Sequence, residues 1–445
     1  MTRPRVCIVS HELMPFYGAG IGVHANNLAR AMRDAGCETH IVTGPHPDLK
    51  IRDASELDGI HIHPVNIDRA RAVLQSSLPK VPPTWNDIYA RAVAEAMHIL
   101  TLEQPFDLVE YPEFGGEGAL IGAWRALGKI HATTLVVRLH TPLQMCMELN
   151  RERPSPKDHV PVFRLEIQSI LLADVVVSPS RALLDRVRSR FGSSDRWPKI
   201  ERVIPNPFDV ESFTQLCQTK QVFEQPTILY VGRLEWRKGV DTLVRAWARV
   251  KMHHKDAQLV IVGTDTHTGP TRDSSFHSSS MRSYLNSLVS AMNLNSSIRF
   301  LGGVDRASLG PMMQSAAALC LPSRFENFPT VVLEALSAGV PVVASDAGGQ
   351  AEIIDEDITG LLAPPDNDEQ LAKALMHALD TPSLAASARS QGPARVAILC
   401  EPSQIAQQML QLIPEPTEEL RPEDLAAEED LAQITTKDDE TSASE

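Results

Sequence analysis

Apolar residues along the first half of the chain fall in short runs, each followed by a longer amphipathic stretch. Runs such as Val6-Cys7-Ile8-Val9 and Leu135-Val136-Val137 show no polar alternation, the pattern of strands buried on both faces. Strands are predicted at 5–10, 38–43, 60–65, 107–111, 133–139, 174–178 and 202–204. Helices are predicted at 22–35, 88–102, 118–127, 162–172 and 181–189. Strands at 227–232, 258–262, 297–301, 317–321 and 340–344 repeat the theme, with helices near 239–250, 281–292, 307–314 and 330–338. Strand–helix alternation implies an α/β fold whose mostly parallel sheets are covered on both faces.

The pattern fails between the halves, from Pro205-Asn206-Pro207-Phe208-Asp209 to Gln225-Pro226. The expected division is a first Rossmann-like domain at 1–205, a linker at 206–226 and a second Rossmann-like domain at 227–384. A terminal helix at 385–413, interrupted near Gly392-Pro393, and an acidic tail at 414–445 follow. Ligands of open α/β sheets bind at the carboxyl ends of the strands. Two such domains facing one another would bring both sets of loops into one cleft.

Charge narrows the partners. The net charge is −14, but residues 415–445 carry twelve acidic and two basic side chains and so account for −10 of it. The body is mildly acidic, which argues against nucleic acid yet leaves room for local basic pockets. The tail has too little apolar surface to fold alone, and reads as solvated or as a docking segment for a protein partner. Six cysteines show no ligand spacing and are expected reduced. Neither a signal peptide nor an apolar run long enough to cross a bilayer is visible, so a cytoplasmic protein is expected. Arg69, Arg71 and Lys80 around 73–78 offer a basic amphipathic patch, but an ordinary solvated face is favoured over membrane contact.

The most informative stretch is Arg324-Phe325-Glu326-Asn327-Phe328-Pro329-Thr330-Val331-Val332-Leu333-Glu334. It sets two carboxylates eight positions apart, Glu326 in a loop and Glu334 in a helix that is otherwise apolar. Pro329 suits the first helical position. A carboxylate in so apolar a helix is desolvated, and near the helix N-terminus it meets the positive end of the dipole. Taken alone, Glu334 reads first as a structural acid bonded to backbone or paired with a neighbouring arginine. The flanking strands and Gly348-Gly349 change that.

Strand, acid-bearing loop, acid-bearing helix, strand and glycine pair together resemble the donor site of the retaining glycosyltransferase family 4, with its E-x7-E signature. The resemblance runs from about residue 6 to about residue 379. It implies the GT-B fold, two facing Rossmann-like domains with a C-terminal helix crossing back. It implies that Glu326 contacts the donor hexose and Glu334 the ribose hydroxyls of the nucleotide. After strand 227–232 come Arg233, Arg237 and Lys238. Cations at a strand exit beside a helix start suit a leaving diphosphate. Arg233 and Lys238 match the family's G-R-L-x-x-x-K-G pattern. Fixed cations and helix N-termini can take the place of a magnesium ion, so neither a metal nor another cofactor is expected. The fifteen histidines form no spacing that predicts a metal site.

Other candidates are weaker by themselves. The loop holding Gly18, Gly20 and Gly22 lacks the dinucleotide spacing, but the resemblance sets it beside the donor phosphates. His140, at the end of a strand, corresponds to a family histidine near the donor hexose, where it would touch substrate and not abstract a proton. Backbone N–H groups of Phe328, Thr330 and Val331 are placed at the donor. Arg181 and Glu113, the latter grouped with Glu110 and Glu117, are candidates for the acceptor side, though a solvated loop fits those acids as well. Asn327 stands where glycine is frequent, and Pro329 removes an amide, which puts the donor sugar in doubt more than the reaction. The segment 264–280 is compatible with a lid, an acceptor-binding loop or disorder.

The expected activity is transfer of a hexosyl group from a UDP- or GDP-linked sugar to a hydroxyl on a glycan, lipid-linked sugar or small metabolite. An epimerase of the same architecture and a non-catalytic sugar-nucleotide sensor are the rivals. Turnover without acceptor marks the first, and binding without turnover the second.

Overall fold

A computed structural model describes residues 3–13, 20–46, 59–77, 82–217, 222–266 and 280–415. The first seven strands are β1 (Arg5–Ser10), β2 (Glu38–Thr43), β3 (Ile60–Pro64), β4 (Phe106–Pro112), β5 (Ala132–Arg138), β6 (Val175–Ser178) and β7 (Ile200–Val203). They form one parallel sheet in the order β3-β2-β1-β4-β5-β6-β7. The next six are β8 (Thr227–Val231), β9 (Gln258–Val262), β10 (Ile298–Gly302), β11 (Ala318–Leu321), β12 (Val342–Ser345) and β13 (Gly360–Ala363). Their parallel order is β10-β9-β8-β11-β12-β13. Both sheets are sandwiched by helices, as the alternation predicts. Each reverses its winding once, between β1 and β4 and between β8 and β11, which opens a crevice at the strands' carboxyl ends.

The two sheets face each other through these ends. Phe325, from the loop after β11, is buried in the first domain's core with Arg186 4.5 Å above its ring. Arg151 of the first domain stacks at 4.3 Å on Trp236 of the second. The final helix, Pro402–Leu410, lays Ile405, Ala406 and Met409 into the first domain's core beside Ile8 and Leu28. The chain therefore crosses back, as expected.

Three expectations are corrected. The predicted break near Gly392-Pro393 is absent, because the helix runs unbroken over Pro382–Cys400 and Pro402 starts the next one. A Cβ at position 392 would lie 2.5 Å from the Leu336 carbonyl oxygen, so Gly392 serves close helix packing. The interdomain stretch holds a helix, Val210–Leu216, capped by Asp209 and anchored by buried Phe213 in the second core. Pro329 sits at the cap of helix Thr330–Ser337, one residue before the predicted position. Strand β13 was not foreseen, because it opens on a glycine and holds only the pair Leu361-Leu362 as large apolar residues.

Candidate active site

The switch point of the second sheet collects its charges. β8 ends at Val231, and the chain turns through Arg233 and Glu235 into the short helical turn Trp236–Lys238. Neighbouring β11 delivers Ser323, Arg324 and Glu326. Lys238 Nζ lies 2.5 Å from Glu326 Oε1, Ser323 Oγ donates to the same oxygen at 2.7 Å, and Arg237 Nη1 stands 3.6 Å from Oε2. Burial opposes ionisation of Glu326, but Lys238 and Arg237 overcome it and hold the carboxyl below its ordinary range. Glu326 is thus a buried anion with two cations upon it.

Backbone geometry fixes that anion. The Gly349 N–H donates to the Glu326 carbonyl at 2.9 Å. Gly348 has φ +81°, and a Cβ there would lie 2.1 Å from the same oxygen. A glycine is thus required for the close approach of this turn to the acid loop.

Glu334 takes its predicted place on the helix after the loop. It is buried, and burial, only partly offset by Arg306, pushes its carboxyl up to about 7. No ion pair to it is formed among the described residues. The helix's first N–H groups, including Thr330 and Val331, precede any intrahelical acceptor. The Phe328 N–H is instead bonded to Asn327 Oδ1 at 2.6 Å.

The first domain contributes a set of buried acids. His140 follows β5; its backbone N–H donates to both Glu113 carboxylate oxygens, at 2.8 and 2.7 Å, and its carbonyl accepts from Asn327 Nδ2 at 3.0 Å. Its ring lies 5.5 Å from that of His24. Burial first, then His24 and Arg138, lower its basicity well below that of a free imidazole. Glu110 lies between Arg138 Nε at 3.0 Å and His24 Nε2 at 2.7 Å, and these partners outweigh its burial to bring it down to about 2. Glu117 bonds the ring and backbone of His11. None of these acids is solvated, which removes one of the two readings the sequence left open. Glu113, a candidate for acceptor contact, is fully buried and spends its carboxylate on the His140 backbone N–H; burial pushes it up to about 8.

Two further candidates differ from expectation. Arg233 extends into solvent, 57% exposed, with Nη1 2.9 Å from Glu235, while Arg237 occupies the interior position. The Arg181 side chain is exposed; its N–H and that of Ala182 donate to Glu352 at 2.9 and 2.8 Å. A carboxylate of the second domain thereby caps a helix of the first. Gly20 begins helix Gly20–Asp34, and the Gly22 N–H donates to Glu12 Oε2 at 3.1 Å. Gly18, Lys80, most of the 264–280 segment and nearly all of the acidic tail lie outside the described residues.

Sequence reasoning undervalued Arg237 and missed Asn150, Glu235 and Ser323. Asn150 Oδ1 accepts the Arg237 N–H at 3.0 Å across the cleft. The signal for Arg237 was its place beside Lys238; nothing local marked Asn150.

No helix among the described residues is long and apolar enough to cross a membrane. Residues 18–212 match the family model described as Glycosyltransferase Family 4, and residues 217–395 match that of Glycosyl transferases group 1. The chain is 26% identical over 376 residues to an uncharacterized glycosyltransferase of Methanocaldococcus jannaschii, covering 83% of this chain and 87% of that protein. It is 25% identical over 390 residues to phosphatidyl-myo-inositol mannosyltransferase of Mycolicibacterium smegmatis, covering 85% of each. An Anabaena protein solved with UDP and glucose superposes with a TM-score of 0.65 at 19% identity, over 92% of this chain and 99% of that one. The two sheets are those of the GT-B fold. With consecutive models accounting for both domains and the E-x7-E acids seated at the second switch point, the chain belongs to the family 4 glycosyltransferases.

Proposed function

We propose that this glycosyltransferase moves a hexosyl group from a UDP- or GDP-linked sugar to an acceptor hydroxyl with retention at the anomeric carbon. The observation that carries the reading is the convergence of Arg237, Lys238 and Glu326 at one crevice, facing His140 across the cleft. Glu326 would hold hexose hydroxyls, and Glu334 the ribose. The diphosphate would draw Lys238 partly away from Glu326 and bring Arg233 in from solvent, so that fixed cations stabilise the leaving charge without a metal. The Anabaena structure with UDP and glucose supports a nucleotide-linked donor on this fold.

In the reaction, the bond between the anomeric carbon and the β-phosphate oxygen breaks, and its electron pair stays with the phosphate. The acceptor oxygen bonds to the anomeric carbon from the same face, and its proton passes to the departing phosphate. The weak basicity of His140 supports a role in contact and shape, leaving proton removal to the phosphate. The mannosyltransferase relative, named for a phosphatidyl-inositol acceptor, keeps a lipid-linked acceptor among the choices beside a glycan or small metabolite. The test is a thermal-shift panel of UDP, GDP and their hexoses on the full chain. Stabilisation by one nucleotide series is expected; no shift with any member would remove the proposal.

A further inference from the structure

A second cluster lies at the outer edge of the first sheet, beyond β1 and away from the crevice. His61 is the register partner of His40 across β2 and β3. Glu38 and His63 sit two residues from them along their own strands. Side chains two apart share a face of the sheet, so one carboxylate and three imidazoles converge on one patch. His40 Nε2 lies 2.9 Å from Glu38 Oε1, its Nδ1 lies 3.0 Å from His63 Nε2, and its ring stacks on that of His61 at 4.7 Å. One ligand atom from each of Glu38, His40 and His61 falls within 4.8 Å of the other two, the single such group of three among the described residues.

We infer that Glu38, His40 and His61 bind one divalent late transition metal of the zinc type. Donors about 2.0–2.2 Å from a tetrahedral zinc stand roughly 3.3 Å apart, a spacing these groups reach by side-chain rotation. The surrounding contacts are those of a ligand set with an outer shell. His63 Nε2 lies against His40 Nδ1, leaving Nε2 as the His40 ring nitrogen beside Glu38. Arg5 Nε bonds Glu38 Oε1 at 3.0 Å and steadies the carboxylate. Arg5 stacks at 4.1 Å on Phe106, which also packs edge-on against His40, so the floor of the site is rigid. His61 is exposed, and Glu38 is half-buried, which gives the ion an entry path and a coordination position open to water. The composition, two imidazoles and one carboxylate, selects zinc-like ions over magnesium or calcium. Such an ion would tie the edge strand β3 to β2. The inference rests on this patch alone, independently of the proposed transferase chemistry.

The test uses the full chain, stripped with a chelator and titrated with zinc chloride. Calorimetry is expected to give one site per chain, and Tm is expected to rise by on the order of a few degrees with saturating zinc. His61→Gln, at an exposed position, should fold with the Tm of the metal-free chain and lose both the site and the rise. His63→Leu should weaken zinc binding without abolishing it. Absence of any zinc-dependent heat or stabilisation in the native chain would overturn the site. So would equal zinc binding by the His61→Gln chain, which would locate the ion on other histidines.

Discussion

The Asn327 side chain joins the domains, its Nδ2 donating to the carbonyl oxygen of His140 at 3.0 Å. The bond links the loop that bears the first signature acid to the residue that faces it from the other sheet. Asn327 occupies a position where glycine is frequent in the family, and here its side chain does what glycine cannot. Asn327→Ala removes the link and leaves both domain cores intact. Turnover at limiting donor should fall by roughly fivefold, the effect of one lost neutral hydrogen bond of about 1 kcal/mol. Thermal stability should hardly change. Steady-state kinetics beside a melting curve checks both; full activity would show that closure does not depend on this contact.

Arg233 and Arg237 should separate function from stability. Arg237 lies against Glu235 at 2.7 Å and Glu326 at 3.6 Å, and its loss removes a buried cation shared by two buried carboxylates. Arg237→Ala is expected to cost about 3–5 kcal/mol of stability. Arg233 is largely solvated, so Arg233→Ala should cost less than about 1 kcal/mol yet impair donor turnover. Denaturant melts and donor kinetics on the pair provide the comparison. Equal destabilisation by both would contradict the assignment of inner and outer cations.

Stability should fall as pH rises toward 8. Glu113, pushed up to about 8, and Glu166 and Glu334, each to about 7, keep protons in the fold that the unfolded chain has already released. The folded state then binds more protons, and stability declines with pH from the ordinary carboxylate range up to these raised values. His24 and His140, held neutral by burial, work in the opposite sense up to about pH 6.5. The decline should therefore be clearest between about pH 6.5 and 8. Glu113→Gln should flatten it, measured as Tm against pH; an unchanged profile would mean that Glu113 ionises normally.

Gly348→Ala tests the backbone of the acid loop. The new Cβ would meet the Glu326 carbonyl oxygen at 2.1 Å from a left-handed conformation, so the loop must shift. A loss of about 2 kcal/mol or more in stability is expected, with donor binding reduced further. Native-like melting and binding would show that the loop accommodates the methyl group.

Much of this was legible in the sequence because long apolar runs and polar turns define their own limits. Strands 5–10, 38–43 and 258–262 end where they were predicted to end. Glu326 and Glu334 stood out because a carboxylate in an apolar setting demands a reason. Short elements did not stand out. Val210–Leu216 offers two turns beside prolines, and Gly360–Ala363 opens on a glycine with only two large apolar residues. The partners of the acids were hidden too, since Glu110 meets Arg138 and Lys238 meets Glu326 only through strand order. The edge cluster of histidines was invisible for the same reason: His40 and His61 become neighbours through parallel pairing of β2 and β3.

The account stands on Glu326 as the anion that handles the donor sugar. Glu326→Gln keeps size and hydrogen-bonding capacity while removing the charge, so it separates turnover from folding. Transfer from the preferred nucleotide sugar should fall by at least roughly a hundredfold, with the free nucleotide bound as before. Undiminished transfer by that variant would contradict the account.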